Sequence, residues 1–503
     1  MSVALSSTDP GRPEATPVTG LRTVVVGAGE AGRALSRDLL HVTSFGLTPV
    51  CFVDDDLRLH NSLISGLPVL GTLNELEEVI DATGAEVVVI AIPSLPTSVV
   101  RALGRRSAAR GASVSHLPPF LAALQRDVAG TDMRALQIGP LIGRPEIHVT
   151  SKGACDVITG KRVLVTGAGG SIGSELCRQV AACGPEELVM LDHDESNLHR
   201  LQLDVWGQGL LDTDSVVVGD IRDRERLYQV FREHRPQVVF HAAALKHLPI
   251  LEHHPCEGVK SNVSGTENLV EVAIAHEVEK FVLISTDKAA NPTSVLGATK
   301  RLAEMVLGAH AGSPTIMCSV RFGNVLGSRG SLLHVVREQL ASGSPVTVTH
   351  PDVTRFFMTI EEAVGLVLEA ARMADGDSTY VLDMGAPVRI VDLVESFAEM
   401  LNVREVEFEF TGLRPGEKLN EELFGEGESQ EPSAHARISR TTPVSPGAGF
   451  RARLHDLYDA ARHNRPDEVM QHLQRLVPEY RPAVAAVPAA APRLQTALYP
   501  DDF

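Results

Sequence analysis

Short apolar runs, each followed by a polar turn and a stretch with apolar positions three and four apart, recur along most of the chain. That alternation predicts parallel strands joined by helices, because a strand buried on both faces reads as continuous apolar sequence and its crossover helix as amphipathic. The first block contains LRTVVVGAGEAGRALSRDLL, TPVCFVDDD and AEVVVIAIPS, then a helix carrying Val99, Val100 and Leu103, and predicts a small parallel sheet over about residues 21–120. Glycine and proline break the rhythm in ALQIGPLIGRPEIHVTSKGACDVITG. It resumes at Lys161, where RVLVT, ELVMLD, SVVVGDI, QVVFHAAA, KFVLIST and TIMCSVRFGNV are successive strand candidates. Beyond 330 the pattern turns irregular, with a helix near 331–341, short strands in PVTVT and TYVLDM, and a helix near 390–401.

The fold class this implies is α/β, with two Rossmann-like doubly wound parallel-sheet domains, the second carrying a C-terminal substrate-binding subdomain. The boundaries read as a flexible leader at 1–20, a nucleotide-binding domain at 21–135, a linker at 136–160, a catalytic domain at 161–475 and a flexible Ala/Pro-rich tail at 476–503.

Composition narrows the partners. At 503 residues the chain is long enough for two or three domains, and with only 15 Phe, 5 Tyr and 1 Trp its cores must be built from aliphatic side chains. A net charge of -18 without a basic stripe argues against nucleic acid. Cys51, Cys155, Cys177, Cys183, Cys256 and Cys318 show no paired spacing, which predicts reduced thiols used for packing and no metal site. No apolar run is long enough to span a membrane and residues 1–20 lack signal-peptide order, so a cytoplasmic protein with no membrane partner is expected.

The chemistry begins at a glycine turn. In GAGGSIG, Gly167, Gly169, Gly170, Ser171, Ile172 and Gly173 lie between a strand and a helix, where missing Cβ atoms admit a pyrophosphate to the helix N-terminus. Asp192 closes the next strand, suited to a ribose diol and repelling a 2′-phosphate, so NAD is the expected cofactor. Asp220 and Ile221 in GDIRD, and Ala242 and Ala243 in HAAA, follow later strands and extend the cofactor site. Gly27, Gly29 and Gly32, followed by Asp54, Asp55 and Asp56, repeat the pattern near the start, which leaves two readings open: a second nucleotide site, or a degenerate fold used for assembly or regulation.

One stretch, STDKAANPTSVLGATK, has the look of a short-chain dehydrogenase site without its tyrosine: Leu296 stands four positions before Lys300, where Tyr is usual. Together with VTGAGGSIGSEL, HAAALKHLPILE, NVSGTENLVEVA, RFGNVLGSRGS, TRFFMTIEEA and GLRPGEKLNEEL, it resembles the nucleotide-sugar 4,6-dehydratases of polysaccharide biosynthesis, in the extended short-chain dehydrogenase/reductase superfamily. The resemblance runs from about 135 to 425, and the first block resembles the soluble domain that precedes the catalytic domain in long members, which usually begin with transmembrane helices.

The resemblance implies Asp287 as acid for the C6 hydroxyl, Lys288 as base at C5, and Lys300 on the nicotinamide ribose. Burial beside Lys300 is expected to lower the Lys288 amine towards neutrality. Leu296 cannot exchange a proton, so Thr286, Lys300 or a held water is expected to relay the O4 proton. Asn324 and Arg414 are implied at the substrate diphosphate and Glu417 at the nucleoside ribose, with Arg321, Arg329 and Arg355 as further phosphate donors and Lys246 and His247 at the sugar. An apolar residue at 296 resembles the branch that acts on UDP-N-acetylglucosamine with retention at C5. The alternatives are a nucleotide-sugar 4-epimerase and a silent nucleotide-binding regulator, and a homo-oligomer is expected.

Overall fold

A computed structural model describes residues 21–116 and 152–482, apart from 42–46, 57, 61, 93–98, 100–102, 105, 108, 208–212, 329–331, 402, 404 and 443–445. The chain divides into two compact units, Met1–Leu136 and Gln137–Phe503. Val100, the leader and most of the anticipated linker and tail lie outside the described residues.

The first unit is a six-stranded sheet whose strands, named by first residue, run 63, 67, 47, 21, 87, 113. All pairings are parallel except the 63–67 hairpin. Val24, Val26, Cys51, Val53, Val88 and Ile90 fill one face of the sheet, against the helix Leu76–Thr83. Its glycine turn is tied to the next strand: the Ala28 amide donates to Asp54 Oδ2 at 2.6 Å and the Asp56 amide to Oδ1 at 2.9 Å.

The second unit is built on nine strands in the order 431, 438, 378, 316, 280, 238, 162, 187, 216. Those from 216 to 378 are parallel, and the last two pair antiparallel at the edge. All six expected strands are present. The strand Ser378–Leu382 belongs to the main sheet rather than to a capping subdomain, because the long helix Ile360–Met373 carries the chain back as an ordinary crossover. Strand order reverses between the strands starting at 162 and 238, and the crevice at their carboxyl ends is where open α/β sheets bind ligands.

Two core layers flank this sheet. One gathers Leu164, Val239, Phe281 and Leu302 with Phe450, Leu454, Leu457, Leu473 and Leu476 from the helices Phe450–Arg462 and Pro466–Leu476. Packing continues past 475: Val477 and Tyr480 are buried, and the Arg481 amide donates to Pro292 O at 3.0 Å.

The cysteine reading needs one correction. Cys155 and Cys183 form a disulfide across 28 residues, with Cα atoms 5.1 Å apart. The turn Lys152–Cys155 comes back against the end of the helix Ser171–Ala182, a proximity that spacing across a whole βα unit does not reveal. The other four cysteines are buried, and burial pushes the Cys51 and Cys318 thiols up to about 12. We therefore expect a thiol reagent to titrate four cysteines in denaturant without reductant and six after reduction; six in both conditions would disprove the bridge.

Candidate active site

The glycine turn has the close contacts that its sequence requires. Gly167 has φ +67°, and a Cβ there would lie 2.6 Å from the Ala243 backbone, so the Ala242–Ala243 strand end and the turn share one wall of the crevice. The helix starting at Ser171 is capped by Gly170, and the Gly169 amide donates to Asp192 Oδ2 at 2.8 Å while the Asp194 amide donates to Oδ1 at 3.0 Å. Asp192 is thus oriented by two backbone donors, and an acceptor-only carboxylate at this place fits a ribose diol. Asp220 is held by Arg222 at 2.6 Å, and Ile221 is buried against Gly265.

The catalytic stretch begins where the strand Lys280–Ile284 ends and a single 3₁₀ turn, Asp287–Ala289, follows. Asp287 is fully buried. Its Oδ1 accepts from Thr286 Oγ1 at 2.9 Å and from Lys288 Nζ at 3.0 Å, whereas Oδ2 is buried without a hydrogen-bond partner. Lys288 Nζ also donates to Asn324 Oδ1 at 3.2 Å and lies 3.7 Å from Glu421 Oε1.

The helix Val295–Gly308 presses directly on this turn. A Cβ on Gly297 would stand 2.2 Å from Lys288 O, so only glycine permits the approach. Ser294 and Glu252 cap its start, accepting from the Gly297 amide at 3.1 Å and the Val295 amide at 2.7 Å. Leu296 is buried in the core, and Lys300 Nζ donates to Ile284 O at 2.6 Å.

Burial lowers the Lys300 amine to about 8, Glu304 opposing the shift only in part. For Lys288 the outcome reverses the expectation from sequence. Burial works against its charge, but the Asp287 and Glu421 carboxylates outweigh it and hold the amine above the usual lysine value. The amine poised near neutrality is Lys300, and Lys288 rests as an ammonium. If the Lys300 charge supports cofactor binding, NAD affinity should weaken as pH rises through about 8, and Lys300→Met should remove that dependence. An unchanged profile in the variant would locate the titration elsewhere.

The remaining expected residues divide sharply. Arg321 is completely buried, forked onto Glu304 at 2.7 and 2.6 Å and bonded to Glu428 at 2.6 Å, so it is a core ion-pair residue and not a phosphate donor. Arg355 pairs with Glu417 at 2.8 Å and donates to Thr354 O and Leu419 O, which braces the loop that both were expected to serve as ligands. Arg414 is exposed, as are Lys246 and His247 after the strand Val238–His241. Arg329 lies outside the described residues.

Two residues that the structure brings into the site escaped the sequence reading. Asn262 sits in a π-helical turn, Val259–Ser264, where its side chain bonds Leu245 N and O at 2.8 and 3.0 Å and Thr299 Oγ1 at 3.1 Å, joining the crevice loop to the lysine helix. Such turns favour functional sites. The other is Glu421, whose neighbour Glu422 on the same run is exposed towards Lys418 and looks identical in sequence.

Comparison with known proteins matches residues 163–443 to the model of a family described as polysaccharide biosynthesis protein. The chain belongs to the polysaccharide biosynthesis protein family. Within it, the chain is 42% identical over 411 residues to the probable polysaccharide biosynthesis protein EpsC of Bacillus subtilis, covering 81% of this chain and 69% of that protein. It is 39% identical to the capsular polysaccharide biosynthesis protein CapD of Staphylococcus aureus, covering 83% and 71%. The X-ray structure of Pen from Bacillus thuringiensis superposes with a TM-score of 0.52 at 33% identity, over 58% of this chain and 90% of that one. Among the described residues no helix is long and apolar enough to cross a membrane.

Proposed function

We propose that this member of the polysaccharide biosynthesis protein family is an NAD-dependent nucleotide-sugar 4,6-dehydratase acting on UDP-N-acetylglucosamine with retention at C5. One observation carries the reading: a buried carboxyl with one oxygen free, Asp287, hydrogen-bonded through its other oxygen to a lysine 3.0 Å away at a strand's carboxyl end. An elimination across C5 and C6 needs an acid and a base side by side, and this pair supplies both from one proton. A UDP-N-acetylglucosamine 4,6-dehydratase (inverting) from Campylobacter jejuni is 30% identical over 279 residues, 54% of this chain, and so supports the reaction class.

The Gly167–Gly173 turn and Asp192 would hold NAD, which would supply the hydride chemistry at C4 and C6. The chain's own residues handle the protons. Enclosure by substrate favours the neutral form of the Asp287–Lys288 pair, moving the shared proton from Nζ to the carboxylate. Lys288 then removes the C5 proton that the C4 carbonyl has acidified, Asp287 protonates the departing C6 hydroxyl, and the pair is an ion pair again. Lys288 returns its proton to C5 on the face from which it came, which gives retention. The O4 proton released at oxidation makes good the remaining deficit through Thr286, whose hydroxyl already bonds Asp287.

Lys300 orients the cofactor ribose and adds charge near O4, while Arg414 takes the diphosphate. Incubating the chain with UDP-N-acetylglucosamine and weighing the product tests the proposal. Loss of one water with solvent deuterium at C5 is the expected result. A product of unchanged mass with inverted C4 would establish the epimerase reading instead, for which UDP-glucose 4-epimerase of Rickettsia rickettsii, 31% identical over 277 residues, is the counterpart.

A further inference from the structure

Glu421 is nearly sealed, its side chain 3% exposed, and the proposed proton transfers leave it without a task. A buried carboxylate is costly unless cations face it. Two do: Lys288 Nζ at 3.7 Å and Arg355 Nε at 3.9 Å. Neither is a tight pair, so the carboxylate stands between them and can follow the charge on either.

The groups facing Lys288 come from four separate elements. Asp287 lies on its own turn, Asn324 follows the strand Ile316–Arg321, Arg355 lies on the short strand Thr354–Arg355, and Glu421 comes from the loop after Arg414. Arg355 also holds Glu417 and the Leu419 carbonyl, while Thr354 Oγ1 and amide bond Asn420 Oδ1 and Leu419 O at 2.7 and 3.0 Å. Residues 417–421 therefore form one braced segment, with Glu417 held by Arg355 at one end and Glu421 beside Lys288 at the other.

We infer that Glu421 is a positioning residue acting through Lys288: its carboxylate holds the ammonium while that group carries the C5 proton, and the braced 417–421 segment delivers it, so the base is completed by the loop that receives the nucleotide. This rests on the assignment of Lys288 as the C5 base. It also accounts for the opposite directions of the two buried site lysines, Lys288 held above the usual lysine value by Asp287 and Glu421 and Lys300 lowered to about 8 by burial.

The test uses the full chain loaded with NAD. Only eight lysines occur in the sequence, so the Cε-labelled lysine signals resolve in NMR, and the Lys288 signal is assigned by its loss in Lys288→Arg. In Glu421→Gln the Lys288 titration should move down by about one pH unit or more, because one of its two facing carboxylates has lost its charge. With UDP-N-acetylglucosamine, kcat should fall by about tenfold or more while KM stays within about twofold, and Glu421→Asp should recover part of the loss. An unmoved Lys288 titration in a variant with unchanged melting temperature overturns the inference. If Lys288→Arg keeps full C5 exchange, the base assignment fails separately, and the NMR arm still decides whether Glu421 governs this amine.

Discussion

Replacing Lys288 with methionine should stop water loss while leaving oxidation at C4 in place. Removing a positioned general base costs about a hundredfold to ten-thousandfold in rate, and here the same change also strips Asp287 of the donor that supplies its proton. Reduced cofactor should accumulate on the variant, visible in its near-ultraviolet absorbance, with no product lighter by one water. Asp287→Asn should behave alike, since an amide can neither give up a proton to the C6 hydroxyl nor take one from Lys288. A variant in which both half-reactions fall together would mean that the pair serves hydride transfer rather than elimination. Full dehydration by either variant would remove the pair from the mechanism.

The second large effect concerns stability. Ser285 Oγ donates to Glu304 Oε1 at 2.6 Å, Glu304 and Glu428 share Arg321, and Arg301 bonds Glu428 at 2.6 Å and Glu479 at 2.8 Å. Burial alone would raise the Glu428 carboxyl, but Arg321 and Arg301 pull it down to about 2. Arg321→Leu leaves two carboxylates buried with one arginine between them, and breaking a buried pair in this way costs about 3–5 kcal/mol. Urea unfolding of the intact chain should show that loss. Adding Glu304→Leu and Glu428→Leu should recover much of it, because both carboxylates left over by the arginine are then gone and Arg301 keeps its pair with Glu479 at 2.8 Å. A loss under about 1 kcal/mol for Arg321→Leu alone would show that water reaches the cluster.

This cluster also shows where reading the sequence stops. RFGNV presents Arg321 and Asn324 as equivalent polar residues after a strand, yet Arg321 is the last residue of that strand and points into the core, while Asn324, three positions on, meets Lys288. The strand period alone could not separate them, because both faces of a central parallel strand are buried. GEKLNEEL posed the same difficulty: Glu421 and Glu422 are adjacent and chemically identical, and only the course of the loop turns one towards Lys288 and the other towards Lys418 and Asn291. The resemblance implied Arg355 and Glu417 at the substrate, and the structure pairs them with each other at 2.8 Å.

The sequence by itself determined the two glycine turns, the six successive strands of the catalytic sheet and the adjacency of Asp287 and Lys288. Each is local: a turn, a period or a neighbour along the chain. Tertiary structure decided which lysine is held above the usual value, because that balance depends on Asp287 beside it and on Glu421, more than a hundred residues away in sequence and 3.7 Å away in space. It likewise decided the Cys155–Cys183 bridge and the seventh parallel strand at Ser378–Leu382. A charge responds to everything within a few ångströms, whatever its position in the chain, and those distances exist only once the chain has folded.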